Sequence, residues 1–500
     1  MGPQLNFNYK ENLMMKKLTL LAAMMIGFSV HAAAPKQEDY YQFTRIPLPE
    51  GVVLEASGIA MLPNGKLAVS SRRGDIYTVS NPLGKAGEMK VKLYARGLHE
   101  PIGLHWNDGW LYATQRCEVT RIKDEDGDGR ADIFETVSDG WGISGDYHEY
   151  AFGSQFDKEG NMWVVLCLTG SFNSNTPYRG WCVRVTKDGK MIPTASGIRS
   201  PGGIGLNHLG DVFYSDNQGP WNGSSSLKHL KAGSFQSHPG GFRWFDLPLV
   251  KKHMGKAPVT PNSNSRIPKE RERVKEYVPP ACVLPHAKLG NSTSGFAFAN
   301  NEKFGPFKNQ LLVSDQSHSN VSRVILEKVN GVYQGAAILF MTGFGSGNIP
   351  SFYDESGSLF VGGSDRGWGA RGGKRFALDR VNWTGKVPFE VHEMKAKPDG
   401  FELTFTHEVD PKTAGEVASY SMKAWTYILQ SKYGSPEVDH VTPKVTGVTV
   451  AKDNKSVTLK VEGLVKGHVH HLVSGGIRSK EGLPLLHPNA YYTLNEIPKK

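Results

Sequence analysis

The sequence predicts an all-β protein: a six-bladed β-propeller followed by a small immunoglobulin-like β-sandwich. Two observations support this prediction. One is a repeat of roughly fifty residues built from short strands and turns, and the other is a change to alternating strand patterns near the carboxyl end. The 57 glycines among 500 residues agree with it, because tight turns between strands require glycine. A chain of this length is also too long for one compact core.

Each repeat has a turn containing Gly or Asn, followed by apolar residues that begin a strand. Successive apolar anchors are separated by 44, 52, 50, 99 and 48 residues, which gives six units with one long interval. Units of this length are typical of four-stranded propeller blades, and radial closure of six blades leaves few exposed edges. We therefore predict a propeller over residues 40–390. The anchors are Leu67, Leu111, Trp163, Phe213, Leu312 and Phe360.

The long interval contains a basic insertion at about 221–285, with eleven Lys and Arg against four Asp and Glu. The whole chain has a formal net charge of +10. A basic patch favours an anionic partner such as an acidic polysaccharide, although a solvated loop can have the same composition. Few aromatic residues accompany these charges, so no nucleic-acid partner is expected.

Residues 395–500 have a different pattern from the repeats. The segments 401–405 and 456–461 alternate apolar and polar residues, as half-buried strands do. About a hundred residues of such strands favour an immunoglobulin-like sandwich. No acid–base constellation is present there, so we expect a structural or binding module.

The first 32 residues have the features of a signal peptide. Lys16 and Lys17 precede an apolar run over 18–30 and a cleavage site rich in alanine. That run is too short to span a bilayer, and no other transmembrane segment is predicted. Residues 1–13 do not fit a signal, so translation is expected to begin at Met14 or Met15. The mature chain is therefore predicted to be periplasmic or secreted.

Four cysteines, none in a CxxC or CxxCH arrangement, argue against a zinc knuckle or a haem attachment site in the chain. In an oxidising compartment Cys167 and Cys182 could form a disulfide, and buried free thiols are equally compatible with the sequence.

One acidic loop follows the spacing of a twelve-residue calcium loop. Carboxylates occupy positions 1, 3, 5, 9 and 12, a glycine occupies position 6, and position 7 would contribute a backbone carbonyl. We predict a structural calcium site at the junction of two blades, with an acidic surface turn as the alternative. The predicted ligand residues are Asp124, Asp126, Asp128, Arg130, Asp132 and Glu135.

Two further segments contain candidate catalytic residues. His148 follows Asp146 and precedes a blade, so it is a candidate general base whose tautomer and pKa a carboxylate could tune. Arg199 offers a planar fork for a carboxylate. The carbonyls of Gly219 and Pro220 could complete a second calcium site. A structural histidine and ordinary turn chemistry are the alternatives.

Taken together, these motifs resemble the glucose/sorbosone dehydrogenase family, and within it the exported, membrane-bound dehydrogenase branch. The resemblance covers roughly residues 40–390 and implies a six-bladed propeller that uses pyrroloquinoline quinone (PQQ) with Ca²⁺. It implies that His148 takes the proton from a sugar hydroxyl and that Arg199 lies beside PQQ. Ser200 stands where the family usually has asparagine, and Gly219 and Pro220 match the carbonyl ligands of the calcium.

The chain departs from the family at two places. The segment 313–320 has no lysine where the family pairs one with the quinone, and the segment 345–351 has no arginine. Arg366 or Arg371 could substitute for them. PQQ carries three carboxylates, so these losses are expected to weaken its binding. The residues expected to bind the cofactor are Arg199, Ser200, Gln218, Gln316 and Arg366.

Three functions are compatible with the sequence. The first is a PQQ- and calcium-dependent sugar or alcohol dehydrogenase that passes electrons to a separate cytochrome or quinone. The second is a cofactor-free polysaccharide lyase or hydrolase, with His148, Tyr147 or Tyr150 as base and Arg199 neutralising a uronate carboxylate. The third is a non-catalytic glycan-binding propeller in which Trp141, Trp221 and Trp368 stack on sugars. The resemblance favours the first.

Overall fold

The computed structural model describes residues 34–365 and 369–499, and every element named below lies in the compact unit Lys36–Lys500. The predicted signal peptide, Arg366 and Trp368 lie outside the described residues. Strands dominate the fold, which confirms the predicted all-β class. No helix among the described residues is long and apolar enough to cross a bilayer.

The first half of the ring contains three antiparallel sheets in chain order. The first consists of β2 (Ala56–Met61), β3 (Leu67–Ser71), β4 (Ile76–Ser80) and β5 (Lys90–Ala95). The second consists of β6 (Leu104–Asn107), β7 (Trp110–Thr114), β8 (Val119–Lys123) and β9 (Ile133–Ser138). The third consists of β10 (Ala151–Phe156), β11 (Met162–Leu166), β12 (Trp181–Val185) and β13 (Met191–Ser196), with the short parallel strand β17 (Ser234–Phe235) at its edge.

Three more sheets complete the ring. The fourth consists of β14 (Pro201–Leu206), β15 (Val212–Asp216), β16 (Ser226–Leu230) and β18 (Pro280–Val283). The fifth begins with β19 (Thr293–Phe298), β20 (Leu311–Asp315), β21 (Asn320–Val329) and β22 (Val332–Met341). The sixth consists of β23 (Asn348–Asp354), β24 (Ser358–Ser364), β25 (Phe376–Trp383) and the amino-terminal strand β1 (Tyr41–Arg45).

The six sheets close into a propeller. The innermost strand of each sheet contacts the innermost strand of the next, and β23 of the sixth contacts β2 of the first. The sixth sheet is completed across the chain, because β1 pairs with β25 in a register that places Arg45 opposite Asp379. These two residues also form an ion pair at 2.8 Å. The amino-terminal strand therefore ties the two ends of the ring together.

The six anchors of the repeat all lie on the second strand of a sheet: β3, β7, β11, β15, β20 and β24. Every residue of β3, β11, β15 and β20 is buried. A strand in the middle of a blade has a neighbouring strand on each side and a blade packed on each face. Its residues are therefore buried continuously instead of alternating between buried and exposed. Each fully buried Leu, Val or Phe contributes about 1.5–3 kcal/mol to folding.

Because neighbouring strands are antiparallel, the connections alternate between the two ends of the ring. We call one end the loop face. It carries the loops before the innermost strands and the loops between second and third strands. The first set comprises 46–55, 96–103, 139–150, 197–200, 284–292 and 342–347. The second comprises 72–75, 115–118, 167–180, 217–225 and 316–319, together with the loop between β24 and β25, of which residues 366–368 are not described. His148, Arg199 and Gly219 are therefore all on this face.

The basic insertion lies between the third and fourth strands of the fourth sheet. Since β16 occupies Ser226–Leu230, the inserted segment is shorter than the predicted 221–285. It contains the helices α1 (Pro248–Met254) and α2 (Ile267–Arg273). Phe245 packs on Trp181 of the third sheet with ring centroids 4.8 Å apart. The insertion is therefore anchored on the side of the third blade.

The carboxyl-terminal strands form two layers. The first is the sheet of β26 (Val391–Lys397), β27 (Gly400–Phe405), β31 (Ser456–Glu462) and β30 (Lys444–Val450). The second contains β28 (Ser421–Tyr427), β29 (Glu437–Val441), β32 (His468–Val473) and β33 (Asn489–Leu494), and the short helix α3 (Pro411–Gly415) follows β27 in the chain.

The second layer is continuous with the propeller and does not form a separate sandwich domain. Strand β33 pairs with the outermost strand β22 of the fifth blade, so one sheet of eight strands runs through both. Phe401, Leu459 and Tyr492 share a core with Ile338 of that blade. The ten-residue β22 leaves an edge that β33 covers, which removes an exposed sheet edge.

Candidate functional site

His148 is held at the loop face by hydrogen bonds at both ring nitrogens. Its Nδ1 lies 2.7 Å from the carbonyl oxygen of Leu168, and its Nε2 lies 3.1 Å from Oγ of Ser200. A carbonyl can only accept, so Nδ1 carries the proton and donates to Leu168. The lone pair of Nε2 then accepts from the Ser200 hydroxyl. His148 is therefore in the tautomer in which Nε2 can take up a proton.

The pKa of His148 is lowered to about 4, chiefly because burial removes hydration from the charged imidazolium, and nearby Arg199 acts in the same direction. The hydrogen bond to Leu168 acts in the opposite direction. His148 is consequently neutral over the physiological pH range, as a general base must be.

The charge of Asp146 raises the pKa of His148, as predicted for a neighbouring carboxylate, but Asp146 does not fix the tautomer of the ring. Its Oδ1 accepts the backbone N–H groups of His148 at 2.8 Å and Gly170 at 3.0 Å. Asp146 therefore joins two loops through their backbones, and the carbonyl of Leu168, not a carboxylate, fixes the tautomer of His148.

Ser200 is positioned by a buried ion pair. Its backbone N–H donates to Oδ1 of Asp216 at 2.8 Å, and Nζ of Lys228 lies 2.9 Å from Oδ2 of the same carboxylate. The side chains of Lys228 and Asp216 are 1% and 0% exposed. Tyr214 donates its hydroxyl to Asp216 at 3.1 Å. Burial lowers the pKa of Lys228, and the Asp216 carboxylate opposes that shift.

Arg199 lies between the fourth blade and the carboxyl-terminal strands. It is only 3% exposed, and its guanidinium carbon lies 5.1 Å from the centre of the Tyr433 ring. Its Nη1 donates to the carbonyl of Asn217 at 3.5 Å, a long contact. Its Nε has no hydrogen-bond partner among the described residues.

The Gly219–Pro220 turn does not suit a second calcium ion. The carbonyl of Gly219 accepts the N–H of Asn222 at 3.1 Å. A Cβ at Gly219 would lie 2.2 Å from Nε of Arg199, so the guanidinium packs directly on this glycine. A cation bound there would be repelled by Arg199. The neighbouring Gln218 is held in the same turn, because its amide donates to the carbonyl of Gly223 at 3.1 Å.

Gln316 lies at the junction of the fifth and sixth blades. Its amide donates to the carbonyl of Ser364 at 3.0 Å, and its backbone N–H donates to the carbonyl of Ser292 at 2.8 Å. It is buried and follows β20, where the family resemblance expected a lysine. Arg366, the proposed substitute, lies outside the described residues.

An arginine cluster that the sequence analysis missed also faces this end of the ring. Arg72 donates to Glu100 at 3.1 Å and to the hydroxyl of Tyr150 at 2.9 Å. Arg116 donates to the other oxygen of Glu100 at 2.7 Å. Nε and Nη2 of Arg116 are buried without a partner in the described part of the chain. Each arginine lies five residues after the anchor of its repeat, just beyond the second strand of a blade, so the phase of the repeat could have identified both.

The acidic loop lies at the opposite end of the ring, between β8 and β9. Carboxylate oxygens of Asp124, Asp126 and Asp128 lie within 4.8 Å of one another. Asp132 accepts the backbone N–H of Glu125 at 2.9 Å, and the N–H of Arg130 donates to Asp128 at 2.7 Å.

Glu135 lies apart from these carboxylates. It is on β9, where Arg121 of the neighbouring strand donates to it at 2.7 Å. The loop also reaches the first blade, because the N–H of Ala131 donates to the carbonyl of Tyr94 at 2.8 Å.

The cysteines are free thiols in the structure. Cys167 and Cys182 are buried, and burial raises the pKa of Cys167 to about 12. Of the two alternatives, the structure has the buried thiols and not the disulfide.

A cavity of about 430 Å³ lies at the end of the ring opposite the loop face, between the insertion and the β21–β22 turn. Its wall includes Arg271 and Lys466, which pair with Glu496 at 3.1 Å and 2.7 Å. Glu496 is therefore shared by both cations. The candidate catalytic groups are elsewhere, on the loop face.

A family model described as Domain of unknown function (DUF7133) matches residues 84–337, more than half of the chain. The chain belongs to this family. The matched DUF7133 region includes His148, Arg199 and the Asp216–Lys228 pair, whereas Arg72 and Tyr433 lie outside it. No curated protein matches the chain.

The propeller is similar to several solved structures at low identity. One is a putative oxidoreductase (glucose dehydrogenase) from Thermus thermophilus, with 18% identity, TM-score 0.49, and coverage of 68% of this chain and 99% of the other. The PQQ-bound aldose sugar dehydrogenase of Streptomyces coelicolor has 15% identity, TM-score 0.47, and coverage of 70% and 100%. A family AA12 carbohydrate-active enzyme from Trichoderma reesei has 12% identity, TM-score 0.49, and coverage of 72% and 100%.

Proposed function

We propose that this DUF7133 protein is an exported sugar or alcohol dehydrogenase that uses PQQ and passes electrons to a separate acceptor. The observation that supports it most is the state of His148, which is neutral, buried and able to accept a proton at Nε2. The mature chain is proposed to act in the periplasm or outside the cell on a carbohydrate.

The loop face has groups that suit an anionic cofactor. Nε of Arg199, and Nε and Nη2 of Arg116, are buried guanidinium nitrogens without partners among the described residues. A buried N–H donor without an acceptor costs free energy. A carboxylate can accept charge-assisted hydrogen bonds from these nitrogens. Arg199 and Arg116 would hold the carboxylates of PQQ. When bound, the quinone supplies a two-electron acceptor for hydride from the sugar carbon.

The chain's own residues would move the hydroxyl proton. Ser200 donates its hydroxyl to Nε2 of His148, so a substrate hydroxyl that donates to Ser200 can pass its proton to Nε2 through it. Leu168 then stabilises the imidazolium that forms, because its carbonyl already accepts the Nδ1–H at 2.7 Å. Asp216 fixes Ser200 through the backbone hydrogen bond at 2.8 Å.

We place calcium in the acidic loop, not at Gly219 and Pro220. The Asp124, Asp126 and Asp128 carboxylates form a compact set of hard oxygen ligands. An ion there would brace the first two blades, because the loop already contacts Tyr94. Its role would be structural, since the site is at the end of the ring opposite His148.

Calcium is therefore expected to raise the melting temperature of the wild-type protein by several degrees. The triple variant Asp124→Asn, Asp126→Asn, Asp128→Asn should lose this response, because the ligand charge is gone. Differential scanning calorimetry with calcium or with chelator measures it, and Asp188→Asn on another surface turn is the control. An equal calcium response in wild type and triple variant would contradict the site.

A second function, a polysaccharide lyase acting on uronates, is favoured by one observation. The Arg199 guanidinium, whose Nε has no partner among the described residues, lies beside the exposed ring of Tyr433, which suits a sugar that carries a carboxylate. His148 would then abstract the proton next to that carboxylate, and no cofactor would be needed.

A pair of assays separates the two functions. The chain reconstituted with PQQ is tested for sugar-dependent reduction of a redox dye, using a panel of neutral aldoses and uronates. The chain without PQQ is tested for unsaturated products from polygalacturonate and alginate by ultraviolet absorbance. Dye reduction that requires PQQ supports the dehydrogenase. Unsaturated products without PQQ, and no dye reduction, would replace it with the lyase.

A further inference from the structure

We propose that Tyr433, from the carboxyl-terminal strands, forms a saccharide-binding subsite on the loop face, where its exposed ring stacks on a pyranose ring of the substrate. This inference rests on the proposed carbohydrate substrate. It assigns the carboxyl-terminal segment a direct contact with the substrate at the loop face of the propeller. The sequence predicted a separate structural or binding module.

The turn that carries Tyr433 is fastened to the loop face. It covers residues 428–436, between β28 and β29. The N–H of Trp221 donates to the carbonyl of Gln430 at 2.7 Å, and the N–H of Ser435 donates to the carbonyl of Gly223 at 3.1 Å. Trp221 and Leu429 are buried in one small core. The turn is therefore fixed against the 217–225 loop, the loop that also contacts Arg199.

Gly434 allows this close approach. It has φ of +63°, a left-handed conformation, and a Cβ there would lie 2.9 Å from the side-chain carbonyl carbon of Gln218. A side chain at this position would strain the backbone and displace the Gln218 amide. The turn thus holds Tyr433 in one place next to the candidate site.

Tyr433 has a supported side and an open side. Its ring lies over the Arg199 guanidinium at 5.1 Å, while the residue as a whole is 57% exposed. The guanidinium beneath it belongs to a residue that is 3% exposed and has an Nε without a partner among the described residues. The ring is therefore a fixed aromatic surface that lies directly beside a buried cation.

Such a surface fits the chemistry of a sugar. A tyrosine offers a large, rigid, amphipathic contact area and loses little conformational entropy on binding. A pyranose ring presents C–H groups on its face and hydroxyl oxygens at its rim. The C–H face can pack on the open side of Tyr433, while the Arg199 guanidinium beneath the ring supplies a positive charge close to the sugar. The charge of Arg199 favours an acidic sugar over a neutral one.

The test is calorimetric titration of the mature chain, without PQQ, with tetragalacturonate, tetramannuronate, cellotetraose and xylotetraose. Wild type is expected to bind at least one acidic tetrasaccharide. Tyr433→Ala should weaken that binding roughly tenfold, since a lost aromatic contact has about that effect. Tyr433→Phe keeps the ring and should stay within about threefold of wild type.

Phe134→Ala is the matched control, because Phe134 is an exposed aromatic on β9, away from the loop face, and its loss should leave binding unchanged. Circular dichroism checks that each variant folds. Absence of binding to all four sugars, or equal binding by wild type and Tyr433→Ala, would overturn the proposal. Failure of PQQ binding would not, because saccharide binding is measured without the cofactor.

Discussion

Replacing His148 with asparagine is expected to lower kcat for sugar oxidation by about 10²–10⁴-fold, the usual contribution of a general base. Asparagine keeps a nitrogen donor near Leu168 but has nothing in place of Nε2, so the proton from Ser200 has no acceptor. PQQ binding should be unchanged. The comparison is steady-state dye reduction by the two reconstituted proteins over a range of sugar concentrations.

Tyr147→Phe is the control for this change, because Tyr147 is the exposed neighbour of His148 and its hydroxyl has no place in the proton path. Its kcat should remain close to that of wild type. A His148→Asn variant with nearly full kcat would show that another group takes the proton.

The pH dependence follows from the same histidine. Its pKa in the folded protein is lowered to about 4, below the ordinary value of 6.5. The neutral form is therefore retained, and the acid limb of kcat/KM, which reports the free enzyme, is expected near pH 4 instead of 6.5. The unfolded chain binds a proton between those values and the folded one does not. His148 therefore does not lower the free energy of unfolding above pH 6.5, where it is neutral in both states. That free energy decreases as the pH falls from 6.5 towards 4.

Replacing Lys228 with methionine is expected to lower the free energy of unfolding by about 3–5 kcal/mol, because it leaves the Asp216 carboxylate buried and unpaired. Asp216 is fully buried, and Tyr214 and the Ser200 N–H are its remaining donors. The site should suffer as well, since Ser200 depends on that carboxylate. Urea denaturation followed by tryptophan fluorescence gives the change in stability.

Lys190→Met serves as the matched control. Lys190 pairs with Asp188 at 2.6 Å, but both side chains are largely exposed, so solvent screens the pair and no measurable loss is expected. Equal, small effects of the two substitutions would mean that the Asp216–Lys228 pair does not hold the fourth blade together.

The sequence predicted the ring better than the site. Anchors such as Leu67 and Phe213 recur because each blade needs a buried second strand, and this requirement leaves a regular trace in the chain. The position of His148 before an innermost strand followed from the same repeat. Its tautomer did not, because the partner of Nδ1 is a backbone carbonyl, which side-chain identity does not reveal.

Residues that depend on contacts between distant segments could not be predicted. Lys228 looks like part of a basic segment, yet the fold buries it against Asp216. Tyr433 lies in a turn of the segment that was predicted to form a separate module, and the β22–β33 pairing and the hydrogen bonds of the 428–436 turn to the 217–225 loop bring this segment to the propeller. Arg116 could have been found from the phase of the repeat, but its partner Glu100 lies in another loop.

The most direct measurement of the central claim is calorimetric titration of the purified mature chain with PQQ. We expect one site per chain, with binding that weakens at least about tenfold in Arg199→Ala and in Arg116→Ala, because each removes a guanidinium whose buried nitrogens have no partner among the described residues. Arg243→Ala, a surface arginine of the insertion, should bind as wild type does. No binding at high PQQ concentration, or equal binding by all four proteins, would contradict the central claim.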